Sequence, residues 1–499
     1  MPGNSDTADA IESSPLLRSS DDIRSRTDEG IHATAEANDA KWTGGAIRTA
    51  CLAAAVLVLY AFADVLRYTS TVRLIEVGVC REHHPEIDLH EAPAAEDPCK
   101  SPPVQQELAR LRGYLSALEA IVGLLLTLPY GLLVGRLGEP LLAGVNIVGY
   151  LLSCAWLIIV CFYYNAFPIW IVVLSPLWRV LGGGTPFLAS VIYSLVTKHV
   201  PAANRSLCFF LFMAAQLWTE IVAIMLAATL LEHEYLFTLM MLNFPLGLLC
   251  LITIFMLRLD NNRSASADVE DELDNEPVDL VSSIRRSLRI LPQLLHDRYI
   301  VVLLSTVPVA KLLNPIMELM FQYIPRKFGL SLAWTSRLIS MQALESMIFL
   351  VALLPLAKRI AQTRFHLSPI KVDLSIAQYG FLVMIVGCLI MAFAQSLIIF
   401  ILGFLIFITG LSTRPALQAV LADLVSPEHV AVLYTMMAVG DGIGSAAGAL
   451  ILNRSLAVAI GWDDKIYLGL PFLIAAVCFM LGFVGSIFAN RALRPRLSI

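Results

Sequence analysis

Nine charged side chains stand inside apolar runs of this chain: Asp64, Glu119, Arg179 and Glu220 in its first half, and Lys311, Glu318, Glu345, Arg414 and Asp441 in its second. A charge at the middle of a bilayer costs several kcal/mol unless it faces a cavity or a partner, so such residues are candidates for binding a substrate or a proton. Arg179 leads the set. Its guanidinium is permanently charged and holds a nearby carboxylate ionised, with Asp64 and Glu119 as candidate partners. The competing reading of Arg179 is a clamp between neighbouring helices. Glu220 and Asp441 occupy comparable places in the two halves and are proton-site candidates. Lys311 and Glu318 lie seven residues apart, about two helical turns, so they share a face and suit opposite ends of a polar substrate. Arg414, just before Pro415, reads as a residue that snorkels or holds a gate.

These residues need helices to position them in a membrane. The composition is 57% hydrophobic and only 15% charged, with a mean hydropathy of +0.73 over 499 residues. A soluble domain carries about a quarter of its residues as charges, so much of this exterior must face lipid. Apolar runs long enough to cross a bilayer fall at about 46–66, 113–134, 141–163, 168–196, 206–231 and 235–257, then at about 299–324, 334–360, 374–394, 396–422, 428–451 and 466–489. They are numbered spans 1 to 12 below. The chain thus divides into a disordered tail (1–45), a six-helix bundle (46–257) with a long external loop (67–112), a charged linker (258–298), a second six-helix bundle (299–489) and a short tail (490–499). The polar start, with no apolar h-region, predicts no signal peptide and an N-terminus in the cytoplasm.

Lys and Arg number about eighteen on the side of the two tails and about eleven opposite, which places both termini inside. Cys80 and Cys99 share the loop on the outer side and can close a ring of roughly twenty residues in an oxidising space. The halves echo one another: Pro186-Phe-Leu-Ala-Ser-Val-Ile-Tyr-Ser-Leu-Val196 in span 4 matches Pro415-Ala-Leu-Gln-Ala-Val-Leu-Ala-Asp-Leu-Val425 in span 10 at five of eleven positions. Internal repeats of this kind are a transporter trait. Gly440, Gly444 and Gly448 repeat every four residues in span 11 and predict a close, sliding helix seam. Gly182-Gly183-Gly184 with Pro186 predicts a kink in span 4. In the tail, Glu12 with Leu16 and Leu17 forms an acidic dileucine pattern that would direct the protein to a vacuolar membrane, and Asn453 heads a glycosylation sequon near the outer side.

Several segments resemble a known family. Leu128-Pro-Tyr-Gly-Leu-Leu-Val-Gly-Arg-Leu-Gly-Glu-Pro140 is similar to the loop signature of major facilitator transporters, with Gly131, Gly135, Arg136 and Gly138 at its motif positions. Arg179-Val-Leu-Gly-Gly-Gly-Thr-Pro186, with Gly183 and Arg179, resembles the arginine-and-glycine motif of span 4. Cys80-Arg81, the run Cys99-Lys-Ser-Pro-Pro-Val-Gln-Gln-Glu-Leu108 and Pro427-Glu-His-Val-Ala-Val-Leu-Tyr434 look like a fungal, efflux-type branch. The chain departs from the pattern where Gly135 replaces an acid, where Glu139-Pro140 replaces basic residues, and where Thr197-Lys198 replaces an acid ending span 4. The resemblance implies the major facilitator fold: an all-α membrane protein of twelve transmembrane helices in two pseudo-symmetric halves.

Enzyme classes fit poorly. The nine histidines fall outside the core of every span, whereas intramembrane di-iron, haem or zinc chemistry needs imidazoles on helices. No Gly-Lys-Ser/Thr phosphate loop occurs. The reading is therefore a secondary transporter without a cofactor or metal, monomeric, partnered by a small molecule, protons and the bilayer and not by nucleic acid. Proton-coupled export of a secondary metabolite or toxic compound, at the plasma or vacuolar membrane, is the expected job. Nutrient or ion uptake, or a non-transporting receptor, is the alternative.

Overall fold

The computed structural model describes residues 44–84, 98–163, 166–200, 202–233, 235–267, 298–349, 353–365, 368–425, 430–462 and 466–497. Helices occupy all twelve apolar runs. Span 1 is Gly44–His83, span 2 Pro102–Leu137 and span 3 Glu139–Phe162; span 5 is Ala202–Glu232, span 9 Pro369–Phe393 and span 11 Val430–Gly461. Among the described residues, nine helices are long and apolar enough to cross a membrane. Spans 4 and 8 appear as shorter pieces, and parts of spans 2 and 8 have side chains outside the description. The exterior carries large apolar residues such as Leu125, Trp170, Leu248, Phe393, Ile398 and Phe488, as a lipid-facing surface requires.

Two large apolar cores form, one from spans 1–6 and one mainly from spans 7–12. Between the halves, span 2 packs along span 11 and span 5 along span 8. Pro315 explains why span 7 is two helices, Arg298–Ala310 and Leu313–Phe328. A proline lacks the N–H and its ring crowds the carbonyl four residues back, here that of Lys311, which accepts a bond from the Asn314 N–H at 3.2 Å instead.

The first external loop is shorter than hydropathy alone suggests. Spans 1 and 2 run as helix to His83 and from Pro102, so Arg67, Arg73, Arg110 and Arg112 are helical residues, not loop residues. Hydropathy ends a span where polar residues begin, yet a helix continues wherever its polar groups find partners. The connection between spans 2 and 3 is likewise a single residue, Gly138, at φ 79°. Span 6 runs on as helix to Ala267, past the expected linker start.

The glycine stripe of span 11 seats span 7 within the second half. Gly440 and Gly444 face Pro308, and Gly448 faces Leu312 and Pro315; the contact with the first half is made by Gly442, against Leu124. A side chain at Gly444 would run into the Pro308 backbone carbonyl, whereas one at Gly440 would meet the Pro308 ring at an ordinary 3.4 Å. Gly444→Ala is therefore expected to destabilise the protein by about 1–3 kcal/mol, and Gly440→Ala by much less. Thermal unfolding in detergent of both variants checks this; equal effects would contradict the packing.

Candidate functional site

Span 4 is built to present Arg179. Ile169–Leu181 forms a 3-10 helix with Pro176 inside it, and its buried residues Ile169, Val172 and Ser175, then Pro176 and Arg179, recur every third position. Side chains three apart eclipse in a 3-10 helix, and so long a run is uncommon and marks strain or a hinge. Neighbouring spans hold it in place. The Ile169 N–H donates to Glu82 Oε1 at 2.9 Å, and Tyr130 Oη donates to the Val180 carbonyl at 2.7 Å.

Asn146 of span 3 then clasps the break, its Nδ2 donating to the carbonyls of Gly182 and Gly184 at 2.5 and 2.8 Å. Gly182 approaches the Asn146 backbone too closely for any side chain, and Gly183 and Gly184 take φ of 82° and 79°, a region that favours glycine. Helix resumes at Thr185–His199. The expected kink is thus a full change of helix type. Span 10 does the same on a smaller scale: Leu397–Ile408, a 3-10 turn Thr409–Ser412, then Thr413–Leu424 carrying Arg414 and Pro415.

Arg179, 4% exposed, meets Glu119 Oε1 at 2.9 Å and Asp64 Oδ1 at 3.5 Å. A second guanidinium, Arg67, 7% exposed, shares both acids, at 3.0 Å from Asp64 Oδ1 and 3.2 Å from Glu119 Oε1. Two cations and two anions from spans 1, 2 and 4 thus neutralise one another at membrane depth. Tyr150 of span 3 supports them, its ring centroid 5.3 Å from the Arg179 guanidinium carbon and 6.0 Å from that of Arg67, within cation–π range. The Tyr150 hydroxyl is fixed by Asn243 Oδ1 of span 6 at 2.7 Å. Arg179, Asp64 and Glu119 stand out in the sequence as charges within apolar runs, whereas hydropathy alone places Arg67 in a loop. Its spacing of three from Asp64 is the sequence signal that could have found it.

In the second half, Arg414 binds Asp441 through Nε, at 3.0 and 3.2 Å, and through Nη2, and reaches Gln418 Oε1 at 3.1 Å. Arg414 therefore pairs within its own half and does not snorkel. Glu318 turns to the first half, where Ser116 Oγ donates to its Oε2 at 2.7 Å. Lys311 lies near Asp441, Arg414 and Glu318. Glu220 is half-buried on span 5, away from both clusters, with no hydrogen bond or ion pair among the described residues.

A network on the side of the span 1–2 connection ties the halves together. Cys80 and Cys99 are disulfide-bonded. Beside them Glu76, its side chain 5% exposed, binds Arg73 at 2.6 Å and Lys100 at 2.5 Å, and accepts from Gln105 at 2.7 Å. From the second half, Gln322 donates to the Gln105 carbonyl at 2.7 Å and Arg326 to the Lys100 carbonyl at 2.6 Å. Arg112 bridges Tyr68 Oη and the Glu318 carbonyl at 2.5 and 2.7 Å, and Arg337 binds Glu232 at 2.5 Å. All of these cross-links lie on one side, so the cleft between the halves is closed there.

The Asn453 sequon does not lie on an open surface. Asn453 is 2% exposed within the span 11 helix, and its Nδ2 donates to the Ala449 carbonyl at 2.9 Å. The packed helix leaves no room for a glycan on this amide. Of the loop signature, Gly131, Gly135 and Arg136 lie on the span 2 helix, with the side-chain position of Arg136 outside the described set. Glu12, Leu16 and Leu17 lie outside the described residues.

Two six-helix halves, a break in span 4 that presents a buried arginine, and closure on one side define a polytopic carrier of the alternating-access kind. The model of the Major Facilitator Superfamily matches residues 103–371. The chain belongs to that family, whose members carry small molecules across membranes, and is an integral multi-pass membrane protein. It is similar to the MFS transporter SAT21 of Stachybotrys chartarum, 26% identical over 85% of this chain and 92% of that one. It also resembles the MFS efflux pump atnC of Emericella nidulans, at 25% identity over 81% and 80%. Among solved structures, the POT family transporter PepTSo superposes with TM-score 0.62 at 12% identity, covering 91% of this chain and 99% of that one, and a D-xylose-proton symporter with TM-score 0.58 at 13%, covering 89% and 97%. These two show a shared fold.

Proposed function

We propose that this protein exports a small organic molecule by alternating access, driven by protons, with both termini in the cytoplasm. The observation that carries the reading is the neutral Asp64–Arg67–Glu119–Arg179 cluster. Protonating Glu119 or Asp64 would leave the cluster positively charged and release an arginine, so one proton alters the contacts between spans 1, 2 and 4. Mid-membrane charges with no such exchange have little reason to persist against their insertion cost. The 3-10 segment of span 4 is the element such a change would move.

Export is supported by the relatives named efflux pumps. Orientation is supported by the basic-residue count and by the disulfide, which belongs in an oxidising space. In this orientation the closed side is external, and the structure corresponds to a state shut to the outside. Opening it means breaking the Gln105–Gln322, Lys100–Arg326, Arg112–Glu318, Ser116–Glu318 and Glu232–Arg337 contacts. Hydrogen bonds contribute about 0.5–1.5 kcal/mol each, net, so the closure is strong but reversible. The plasma membrane is the expected site, as a monomer.

The test is proton flux in proteoliposomes challenged with a panel of amphipathic organic compounds, wild type beside Arg179→Ala. Compound-dependent proton movement that the variant lacks is the expected result. Compound binding with no flux in wild type would turn the reading to a receptor.

A further inference from the structure

The geometry points to Lys311 as the anchor for the carboxylate, or equivalent single negative charge, of an organic-acid substrate. The inference rests on the export reading above and narrows it to a substrate class. It begins from how the cations between the halves are satisfied. Arg67 and Arg179 share Asp64 and Glu119. Arg112 is engaged by Tyr68 and the Glu318 carbonyl. Arg414 takes both oxygens of Asp441 and also Gln418. Lys311 has no side-chain hydrogen bond and no ion pair among the described residues, although Asp441, Arg414 and Glu318 all lie near enough to act on it.

Its two candidate counter-ions are occupied elsewhere. Asp441 is held by Arg414, and Glu318 accepts from Ser116 across the seam. An ammonium at this depth is expensive without a partner, so the site is complete only when an anion arrives.

The backbone supports the same assignment. Lys311 stands at the interruption of span 7, between Pro308 and Pro315, where the two helix pieces meet. Interrupted helices near the midplane are where carriers place polar groups toward cargo. The side chain is half-buried, and the charged groups that act on it come from spans 7, 10 and 11. A lysine offers a compact point charge with rotatable donors, not the fixed fork of an arginine. That suits a monoanion on varied skeletons.

Binding, not transport, tests this, so that its failure is separable from failure of the export reading. Purified full-length protein is titrated by fluorescence with anthracene-9-carboxylate and with its methyl ester, which keeps the ring and removes the charge. Wild type is expected to bind the acid about tenfold or more tightly than the ester. Lys311→Gln is expected to lose that preference with the ester's Kd unchanged, and Lys311→Arg to keep it. Retained ester binding shows that the Gln variant is folded. Equal binding of acid and ester by wild type would overturn the assignment, as would an acid preference that survives in Lys311→Gln. A loss of acid and ester binding together would also overturn it, since it would make Lys311 a structural residue.

Discussion

Arg67→Ala is expected to lower stability by about 3–5 kcal/mol, the range for breaking a buried ion pair by removing one member, and to stop transport. Arg67 is nearly inaccessible and touches both carboxylates of the cluster. Without it Asp64 and Glu119 compete for Arg179 alone, and the site carries a net negative charge at membrane depth. Adding Glu119→Gln to Arg67→Ala restores neutrality and is expected to recover a large part of the stability but not the transport. By contrast, Asp64→Asn alone is expected to cost less, because the Asp64 side chain is 31% exposed and solvent screens its share of the attraction. Thermal unfolding in detergent, run on the three variants with wild type, measures this. An Arg67→Ala protein as stable as wild type would remove the cluster from the account.

Much of this architecture was legible in the sequence because bilayers impose coarse rules. Run lengths located the spans, and the Gly182-Gly183-Gly184 triplet located the break in span 4. Charged residues inside apolar runs located Arg179, Glu119 and Asp64. What the sequence concealed follows from pairing. Arg67 and Arg112 look like loop residues to a hydropathy count, because a count cannot see that Asp64, Glu119, Tyr68 and the Glu318 carbonyl satisfy them. Glu76 was hidden for the same reason among the acids of an apparent loop.

The glycine stripe of span 11 announced a close helix contact but not its partner, span 7, since spacing says that a helix approaches and not which helix. Asn453 failed in a third way. A sequon is a three-residue pattern blind to burial, and only the helix around it shows that the amide faces protein.

Alternating access makes a strong demand on the closed side: the seam between spans 2 and 11 must separate in every cycle. Gly113 and Asn453 face each other there, and a Cβ placed on Gly113 would lie 3.0 Å from the Asn453 Cβ. Disulfides span about 3.5–4.5 Å between Cβ atoms, so cysteines at both positions need only a small shift to bond. The most direct measurement is compound flux in proteoliposomes holding Gly113→Cys/Asn453→Cys protein, before and after a reductant, with wild type treated alike to account for Cys80–Cys99. Flux is expected to fall at least tenfold in the oxidised double variant and to return on reduction. A cross-linked protein that transports at the wild-type rate would contradict the account, because the two halves would then not need to part.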